Sequence, residues 1–218
     1  MNRKVMLRIE RATLQFGDRP LLQAFDWQLK VGGMECLTGE SGCGKTSLLR
    51  AVLGFVPFVA GQIKVDGLRL SAVSVDEIRR RVAYVPQELF LSCEWVGEMV
   101  RMLFELKANQ GREFSCDRLL EIWEELGLPA ELYQYKVSKL SGGQRQRILL
   151  SIGILLNKKL LLVDEPTSAL DGESARRVAA LLRKTADKGT TIGVVSHDVR
   201  LAGMCDRVIC LSDRTTWG

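Results

Sequence analysis

Eight residues in the first quarter of the chain have the composition of a phosphate-binding loop. The run Gly39-Glu40-Ser41-Gly42-Cys43-Gly44-Lys45-Thr46 fits the pattern G-x-x-x-x-G-K-[ST], between an expected strand at 34–38 and an expected helix at 45–53. Glycines allow the backbone to wrap a phosphate, and backbone N–H groups and the helix N-terminus bind the anion. Lys45 would reach the β- and γ-phosphates, and the Thr46 hydroxyl would hold Mg²⁺. The loop therefore predicts binding of a nucleoside triphosphate; the alternative, a glycine-rich turn with a surface lysine, is disfavoured by the strand–loop–helix setting.

Two carboxylates follow an apolar segment in the last third of the chain. The segment Leu160-Leu161-Leu162-Val163 is expected to be a buried strand, and Asp164 and Glu165 come directly after it. A carboxylate at the end of a strand beside a phosphate loop is suited to anchor Mg²⁺, which is the place of Asp164. Glu165 follows where a water could be aligned on the γ-phosphate. Paired carboxylates after a strand are otherwise often a helix N-cap, but Pro166 favours a turn.

The segment Leu140-Ser141-Gly142-Gly143-Gln144-Arg145-Gln146-Arg147 indicates a second anion-binding helix end. Ser141 is expected to cap a helix from about 142 to 156 whose first turn is opened by two glycines. Two phosphate sites in one domain are unusual. They make sense if the second completes a site on another copy of the chain.

The elements that must position these residues are apolar strands separated by helices. Strands are expected at 34–38, 62–65, 82–85, 160–163, 191–196 and 207–211, and helices at 45–53, 142–156 and 172–186. This alternation indicates a parallel sheet covered on both faces. Alternating patterns at 7–16 and 22–29 predict two further strands near the N-terminus. Ser74-Val75-Asp76-Glu77 has capping-box spacing, so we expect a helical turn to start there. Strand signals are absent from about 93 to 135, where apolar residues recur at helical spacing, so we expect a helical lobe inserted into an α/β core.

Composition excludes several classes of protein. The 218 residues include 46% hydrophobic and 26% charged residues, enough for one folded domain and too apolar for disorder. No apolar run approaches the ~20 residues of a membrane-spanning helix, and the N-terminus does not resemble a signal peptide. The six cysteines form no C-x-x-C pair, which disfavours a zinc site and favours reduced, mostly buried thiols. The net charge of +5 is too weak to argue for nucleic acid or a membrane surface.

Five motifs occur in an order that resembles the nucleotide-binding domain of an ATP-binding cassette (ABC) protein. They are the phosphate loop, Leu-Ser-Gly-Gly-Gln at 140–144, the strand ending in Asp164-Glu165, Ser168-Ala169-Leu170-Asp171, and Ser196-His197-Asp198. The resemblance covers essentially the whole chain as a single domain, 1–218. It implies an α/β fold: a P-loop NTPase core with a parallel sheet, an N-terminal antiparallel β subdomain and an inserted helical subdomain. The core and β subdomain would comprise 1–87 and 140–218, and the helical subdomain 88–139.

The resemblance also implies roles for individual residues. Phe16 matches the aromatic residue that stacks on adenine, usually a tyrosine, although a place in the strand core is the alternative. Glu165 matches the general base or water-positioning residue, and His197 matches the histidine that touches the γ-phosphate. Gln87 matches the glutamine that reaches Mg²⁺ and the attacking water. The resemblance implies that the phosphate loop contacts ATP bound to the same chain, through Gly39, Glu40, Ser41, Gly42, Cys43, Gly44, Lys45, Thr46 and Ser47. It implies that Mg²⁺ is held by Thr46, Gln87 and Asp164. It also implies contacts to the ATP of the opposite subunit, made by Ser141, Gly142, Gly143, Gln144 and Asp171.

The function implied by the resemblance is that of an ATP-hydrolysing subunit of an ABC transporter. Two copies, or this chain and a homologous ABC subunit, would sandwich two ATP molecules with Mg²⁺ and drive separate transmembrane permease subunits. The chain would be cytoplasmic and peripheral on the inner face of the membrane, docked near Gln87 and Leu89-Phe90-Leu91. No nucleic acid partner is expected, because the long coiled-coil insertion of DNA-repair relatives is missing. The alternative is a soluble ABC ATPase that acts in complex assembly or cell division without transport.

Overall fold

A parallel sheet forms the centre of the computed structural model, which describes residues 4–17, 19–89 and 93–211. Its five strands lie in the order β6-β7-β8-β3-β9, and every neighbouring pair is parallel. In chain order these strands are β3 (Met34–Thr38), β6 (Val82–Val85), β7 (Leu160–Asp164), β8 (Thr191–Val195) and β9 (Arg207–Cys210). All residues of β7 and β8 are buried, as expected for strands covered on both faces. The predicted α/β fold with a parallel sheet is confirmed.

An antiparallel sheet of four strands packs beside the first, in the order β2-β1-β4-β5. Its strands are β1 (Val5–Phe16), β2 (Arg19–Lys30), β4 (Ala60–Val65) and β5 (Leu68–Arg69). Trp27 on β2 joins the two sheets, because a Cβ atom added to Gly193 of β8 would lie only 2.9 Å from its ring. Gly193 therefore permits the sheets to approach this closely. The predicted N-terminal antiparallel sheet is confirmed.

Seven α-helices surround the sheets in the described ranges. They are α1 (Lys45–Val52), α2 (Val75–Arg81), α3 (Val96–Glu105), α4 (Cys116–Glu125), α5 (Gly142–Leu155), α6 (Gly172–Asp187) and α7 (Val199–Gly203). Between β6 and α5 the described residues form α3, α4 and three short 3₁₀ turns, at Lys107–Asn109, Ala130–Gln134 and Val137–Lys139. A single antiparallel bridge joins Trp95 to Lys136 across this helical segment. None of the helices in the described ranges combines the length and apolarity that crossing a membrane requires.

The apolar core divides into two clusters because alternate residues of a strand point to opposite faces of the sheet. On β7, Leu161 and Val163 belong to the cluster under α5, α6 and the helical segment. Leu160 and Leu162 belong to the cluster under α1 and the antiparallel sheet. The parallel sheet is therefore packed by apolar residues on both faces, and the loops of the site follow the ends of its strands.

The helix start predicted at Ser74 is confirmed, because α2 begins at Val75 with Ser74 as its N-cap residue. The side-chain cap itself does not form: the Ser74 hydroxyl donates to the Arg69 carbonyl at 2.5 Å. The turn before α2 competes for this hydroxyl, as is common for serine. The cysteines are also less buried than expected: Cys36 is buried, Cys116 is exposed, and the other four are half-buried.

Candidate active site

The topology brings four loops to one edge of the parallel sheet. The strands β6, β7, β8 and β3 are neighbours and run in the same direction, so their carboxyl ends lie side by side. Gln87 follows β6, Glu165 follows β7, His197 follows β8, and the phosphate loop follows β3. They surround a cleft of about 500 Å³. Its lining comprises Ser41, Gly42, Gly44, Lys45, Thr46, Ser47, Gln87, Glu165, Thr167, Ser168, Val195, His197 and Asp198.

The phosphate loop depends on glycine where it turns into α1. Gly44 is the N-cap residue, with φ 98° and ψ 9°, a left-handed conformation that favours glycine, and it has no side chain with which to cap the helix. The first N–H groups of α1 therefore remain open to an anion in the cleft. Lys45 is buried, and its Nζ donates to the carbonyl oxygens of Gly39 and Glu40 at 2.7 and 2.8 Å. The loop's own backbone thus fixes the ammonium group against the phosphate-binding turn.

Asp164 ends β7 at the base of the cleft and is 1% exposed. Its Oδ2 accepts from the Tyr84 hydroxyl at 3.4 Å, whereas its Oδ1 has no hydrogen-bond partner among the described residues. Burial raises the pKa of this carboxyl, and the nearby Thr46 and Tyr84 hydroxyls oppose the rise. A buried carboxylate oxygen without a partner is costly unless a cation balances it. The site therefore fits a divalent metal ion held by oxygen ligands.

Glu165 and His197 both line the cleft, and their side chains are in contact. The carboxylate Oε1 lies 3.3 Å from His197 Nε2, and the histidine side chain is 54% exposed while that of Glu165 is 14% exposed. Burial raises the pKa of Glu165, and the charge of His197 opposes this rise. A raised pKa makes a carboxylate a better proton acceptor near neutral pH.

The backbone of Glu165 adopts φ 47°, which non-glycine residues rarely do. Its N–H donates to the Val195 carbonyl at 2.8 Å, and its carbonyl accepts from the Ser168 hydroxyl at 3.0 Å. The Gln146 side chain also donates to this carbonyl. Tertiary contacts therefore hold the side chain toward the cleft.

Gln87 lies where the cleft meets the start of α5. It lines the cleft with the phosphate loop and also lines a second cavity of about 340 Å³ that includes Gly142 and Gln146. Gln87 is thus placed between the phosphate-binding residues and the helical segment.

The second helix end is built as the sequence predicts, but its residues do not line this cleft. Ser141 caps α5: its hydroxyl accepts from the Gln144 N–H at 3.1 Å, and its own N–H donates to the Gln144 side chain at 2.9 Å. Asp171 caps α6, and hydrogen bonds from the backbone and hydroxyl of Ser174 lower the pKa of its carboxyl. The lining of the cleft includes none of the residues Ser141, Gly143, Gln144 and Asp171.

Most of the residues predicted for one ATP site come together. Gly39, Glu40 and Cys43 belong to the same loop but do not line the cleft, and Asp164 lies buried beneath it. Phe16 ends β1, but its side chain lies outside the described part of the structure, as do Phe90 and Leu91 of the predicted docking segment. Sequence reasoning missed other lining residues. Thr167 and Ser168 follow Glu165 directly, Asp198 follows His197, and their positions beside the motifs were the available signal.

A phosphate loop, a buried carboxylate beside its threonine, and a glutamate–histidine pair at one sheet edge define a P-loop nucleoside triphosphatase. The family follows from the comparison with known sequences: the profile described as ABC transporter matches residues 22–168, about two thirds of the chain. The chain belongs to the ABC transporter family and is an ABC ATPase, as the resemblance implies.

Similar proteins agree with this assignment. The zinc transport system ATP-binding protein TroB of Treponema pallidum is 31% identical over 95% of this chain and 79% of its own length. The glutamine transport ATP-binding protein GlnQ of Escherichia coli is 30% identical over 90% of this chain and 83% of its own length. A solved ATP-binding cassette, dimeric in a post-hydrolysis state with ADP and phosphate bound, superposes with a TM-score of 0.82 at 25% identity over 94% of both chains. The chain is thus similar to ATP-binding subunits of transporters and to cassettes that form dimers, and the predicted class of function is confirmed.

Proposed function

We propose that this chain hydrolyses MgATP at the interface of two cassettes and thereby drives separate transmembrane subunits of a transporter. The observation that carries the proposal is the split between its two anion-binding helix ends. The end of α1 lies in the cleft with Glu165 and His197, whereas the end of α5 does not belong to that cleft. An ATP molecule in the cleft would therefore need the α5 end of a second cassette to be enclosed. Similar cassettes are dimeric, which supports this arrangement.

Substrate binding rests on the phosphate loop. The open N–H groups of α1 and the Lys45 ammonium would neutralise the β- and γ-phosphates, and Phe16 would stack on the adenine. Gly39, Gly42 and Gly44 all have positive φ, so the loop has the shape to follow the phosphate chain without side-chain interference. Binding in this way is electrostatic and positions the γ-phosphate toward Glu165.

The metal ligands we assign are Thr46, Asp164 and Gln87. The support for Asp164 is its buried Oδ1, which lacks a partner in the described residues, and Thr46 is a neighbour of that carboxylate. When bound, Mg²⁺ neutralises the charge that develops on the phosphate oxygens.

Glu165 and His197 would act on the attacking water and the γ-phosphate. The raised pKa of Glu165 and its place in the cleft suit a group that accepts or orients a proton of the water. His197, 3.3 Å from that carboxylate, would hold Glu165 in place and contact the γ-phosphate from the other side. Gln87 would sense the nucleotide and connect the cleft to the helical subdomain, residues 88–139, which we expect to rotate relative to the core.

The partners follow from the same reasoning. Ser141, Gly142, Gly143, Gln144 and Asp171 would contact the ATP of the opposite subunit. Transport requires membrane-spanning subunits, and the similarity to ATP-binding subunits of transporters supports a peripheral position on the inner face of the membrane.

The variant Glu165→Gln tests the proposal. It should bind ATP with Mg²⁺, lose hydrolysis by about 10²–10⁴-fold, and accumulate as a dimer, because the sandwich closes but is not opened by hydrolysis. Size-exclusion chromatography with light scattering, with and without ATP, measures the mass. Glu121→Gln, the same chemical change at an exposed position of α4, is the control and should remain monomeric and active. A Glu165→Gln protein that stays monomeric with saturating ATP would refute the sandwich.

The transporter partner is tested with the same variant. Glu165→Gln, purified with ATP and Mg²⁺ from detergent-solubilised membranes of its host, should bring a polytopic membrane protein in stoichiometric amount, identified by mass spectrometry. Recovery of soluble proteins alone would contradict the transport role and favour assembly or division.

A further inference from the structure

The side chain of Gln146 joins α5 to the loop that carries Glu165. Gln146 lies one turn inside α5 and is 5% exposed. Its Nε2 donates to the carbonyl oxygen of Glu165, and its Oε1 accepts from the Ala169 N–H at 3.4 Å. An amide offers a donor and an acceptor together, so one side chain satisfies two backbone groups of the same loop.

The backbone of Glu165 needs such support. Its φ of 47° persists in a non-glycine residue when surrounding contacts over-determine it. Two of these contacts are local to the sheet edge, the N–H bond to Val195 and the carbonyl bond from Ser168. Gln146 provides a contact from the helix α5, whose first residues do not line the cleft.

A second contact joins the same two regions. A Cβ atom added to Gly143 would lie 3.0 Å from the Ala169 carbonyl oxygen and 3.0 Å from Cδ2 of Leu170. The first turn of α5 therefore packs directly on the residues that follow Glu165. A displacement at this helix end must move residues 169–170, Glu165, or both.

We propose that Gln146 is a positioning residue that transmits the position of the α5 helix end to Glu165. This rests on the proposed function, in which Ser141 and Gly143 contact the ATP of the opposite subunit. ATP in one site of the dimer would set α5, and Gln146 would pass that position to the glutamate acting in the other site. The two ATP sites would thus be coupled through each subunit.

The test compares Gln146→Met with wild type. Methionine keeps the length and volume of the side chain but removes both hydrogen bonds. The kcat of ATP hydrolysis should fall about 10–100-fold, because small misplacement of a catalytic group has effects of this size. Affinity of the monomer for a fluorescent ATP analogue should stay within about twofold, since Gln146 does not line the cleft. The Hill coefficient for ATP, above 1 in the wild-type dimer, should fall toward 1.

Two further variants make the result decisive. Gln146→Asn keeps the uncharged amide but shortens the side chain by one methylene, so it cannot reach from α5 to both backbone groups. It is smaller than glutamine and introduces no buried charge, so it should fold and still lose kcat, whether or not Gln146→Met folds. Gln110→Met makes the methionine change at an exposed glutamine before α4 and should leave kcat and the Hill coefficient unchanged.

Several outcomes would overturn the assignment. One is a wild-type kcat in Gln146→Asn, and another is a parallel loss of kcat and nucleotide affinity. A third is cooperativity that is absent from wild type or retained in the variant. Gln146→Met combined with Glu165→Gln should still form an ATP-dependent dimer, and failure there would also count against a positioning role. If Glu165→Gln alone fails to dimerise, the proposed function fails, whereas dimerisation with normal kcat in the Gln146 variants removes only this inference.

Discussion

Gly153 is a point of close approach between α5 and β6, the strand that leads to Gln87. A Cβ atom added there would lie 2.5 Å from Cγ2 of Val85 and 3.4 Å from Cδ1 of Leu161. Carbon atoms in contact are about 3.5–4.0 Å apart, so the methyl group of Gly153→Ala overlaps Val85 by about 1 Å. Val85 is buried and β-branched, which leaves it few alternative rotamers. Either the helix or β6 must move.

The size of the effect follows from two opposing terms. Overpacking costs about 1–3 kcal/mol, and alanine stabilises a helix interior by about 1 kcal/mol relative to glycine. Gly203, the last residue of α7, provides a control without overlap, because no described residue lies within 4 Å of its added Cβ. At a helix end the gain from alanine is between zero and the interior value of about 1 kcal/mol. The two variants should therefore differ by up to about 3 kcal/mol, or up to about 12 °C in Tm for a chain of this length, with Gly153→Ala the less stable.

Calorimetric unfolding of the nucleotide-free chain measures this difference. A Gly153→Ala protein that melts at or above the temperature of Gly203→Ala would refute the packing argument. The double variant Gly153→Ala with Val85→Ala gives an independent check, since removing Cγ2 relieves the overlap. Its destabilisation should be smaller than the sum of the single effects by about 0.5–3 kcal/mol, and strict additivity would contradict the contact.

Three further predictions concern ionisable groups. Hydrogen bonds from Lys159 and Lys4 hold the pKa of Asp66 at about 2. The stability that the ionised Asp66 gives the fold is therefore present above about pH 4 and lost as the pH falls toward 2. Urea unfolding should show Asp66→Asn less stable than wild type by about 1–2 kcal/mol at pH 7 and nearly equal at pH 2. Burial lowers the pKa of Lys158 to about 8, below the pKa of lysine in the unfolded chain. The buried charge therefore destabilises the fold below pH 8. The fold becomes more stable as the pH rises and Lys158 loses its proton. The stability of wild type relative to Lys158→Met should therefore increase between pH 7.5 and 9.5, and a decrease would contradict the burial argument. Burial raises the pKa of Glu165 and His197 opposes it, so His197→Gln should move the acid limb of the residual single-turnover rate to higher pH; a shift to lower pH would contradict the pairing.

The parallel sheet and its edge could be predicted because the sequence carries strong local signals there. The run Leu160-Leu161-Leu162-Val163 is too apolar for an exposed element, and the structure has β7 at Leu160–Asp164. The phosphate loop was recognisable because its glycines and its lysine have fixed spacing, and β3 and α1 flank it as expected. Signals of this kind depend on neighbouring residues only.

Other features depend on contacts between distant segments. The cap expected at Ser74 failed because the preceding turn, through the Arg69 carbonyl, takes the same hydroxyl. The bond from Tyr84 to Asp164 joins residues 80 positions apart, and the bond from Gln146 to the Glu165 carbonyl joins residues 19 apart. Neither partner carries a local pattern that names the other, so the sequence alone could not assign these roles.

The difference between local signals and distant contacts is clearest where the site has a positive φ, at its loop glycines and at Glu165. Gly44 adopts φ 98° at little cost because glycine tolerates it, and any chain with this motif can form the loop. Glu165 adopts φ 47° against its own preference, so the direction of its carboxylate is set by Val195, Ser168 and Gln146. Phosphate binding should therefore survive changes in packing that abolish hydrolysis. Variants of the residues that hold Glu165 should separate the two activities: they should bind ATP normally while losing kcat. If ATP affinity and kcat fell together in every such variant, the phosphate loop and Glu165 would depend on the same contacts, and the expected separation would be wrong.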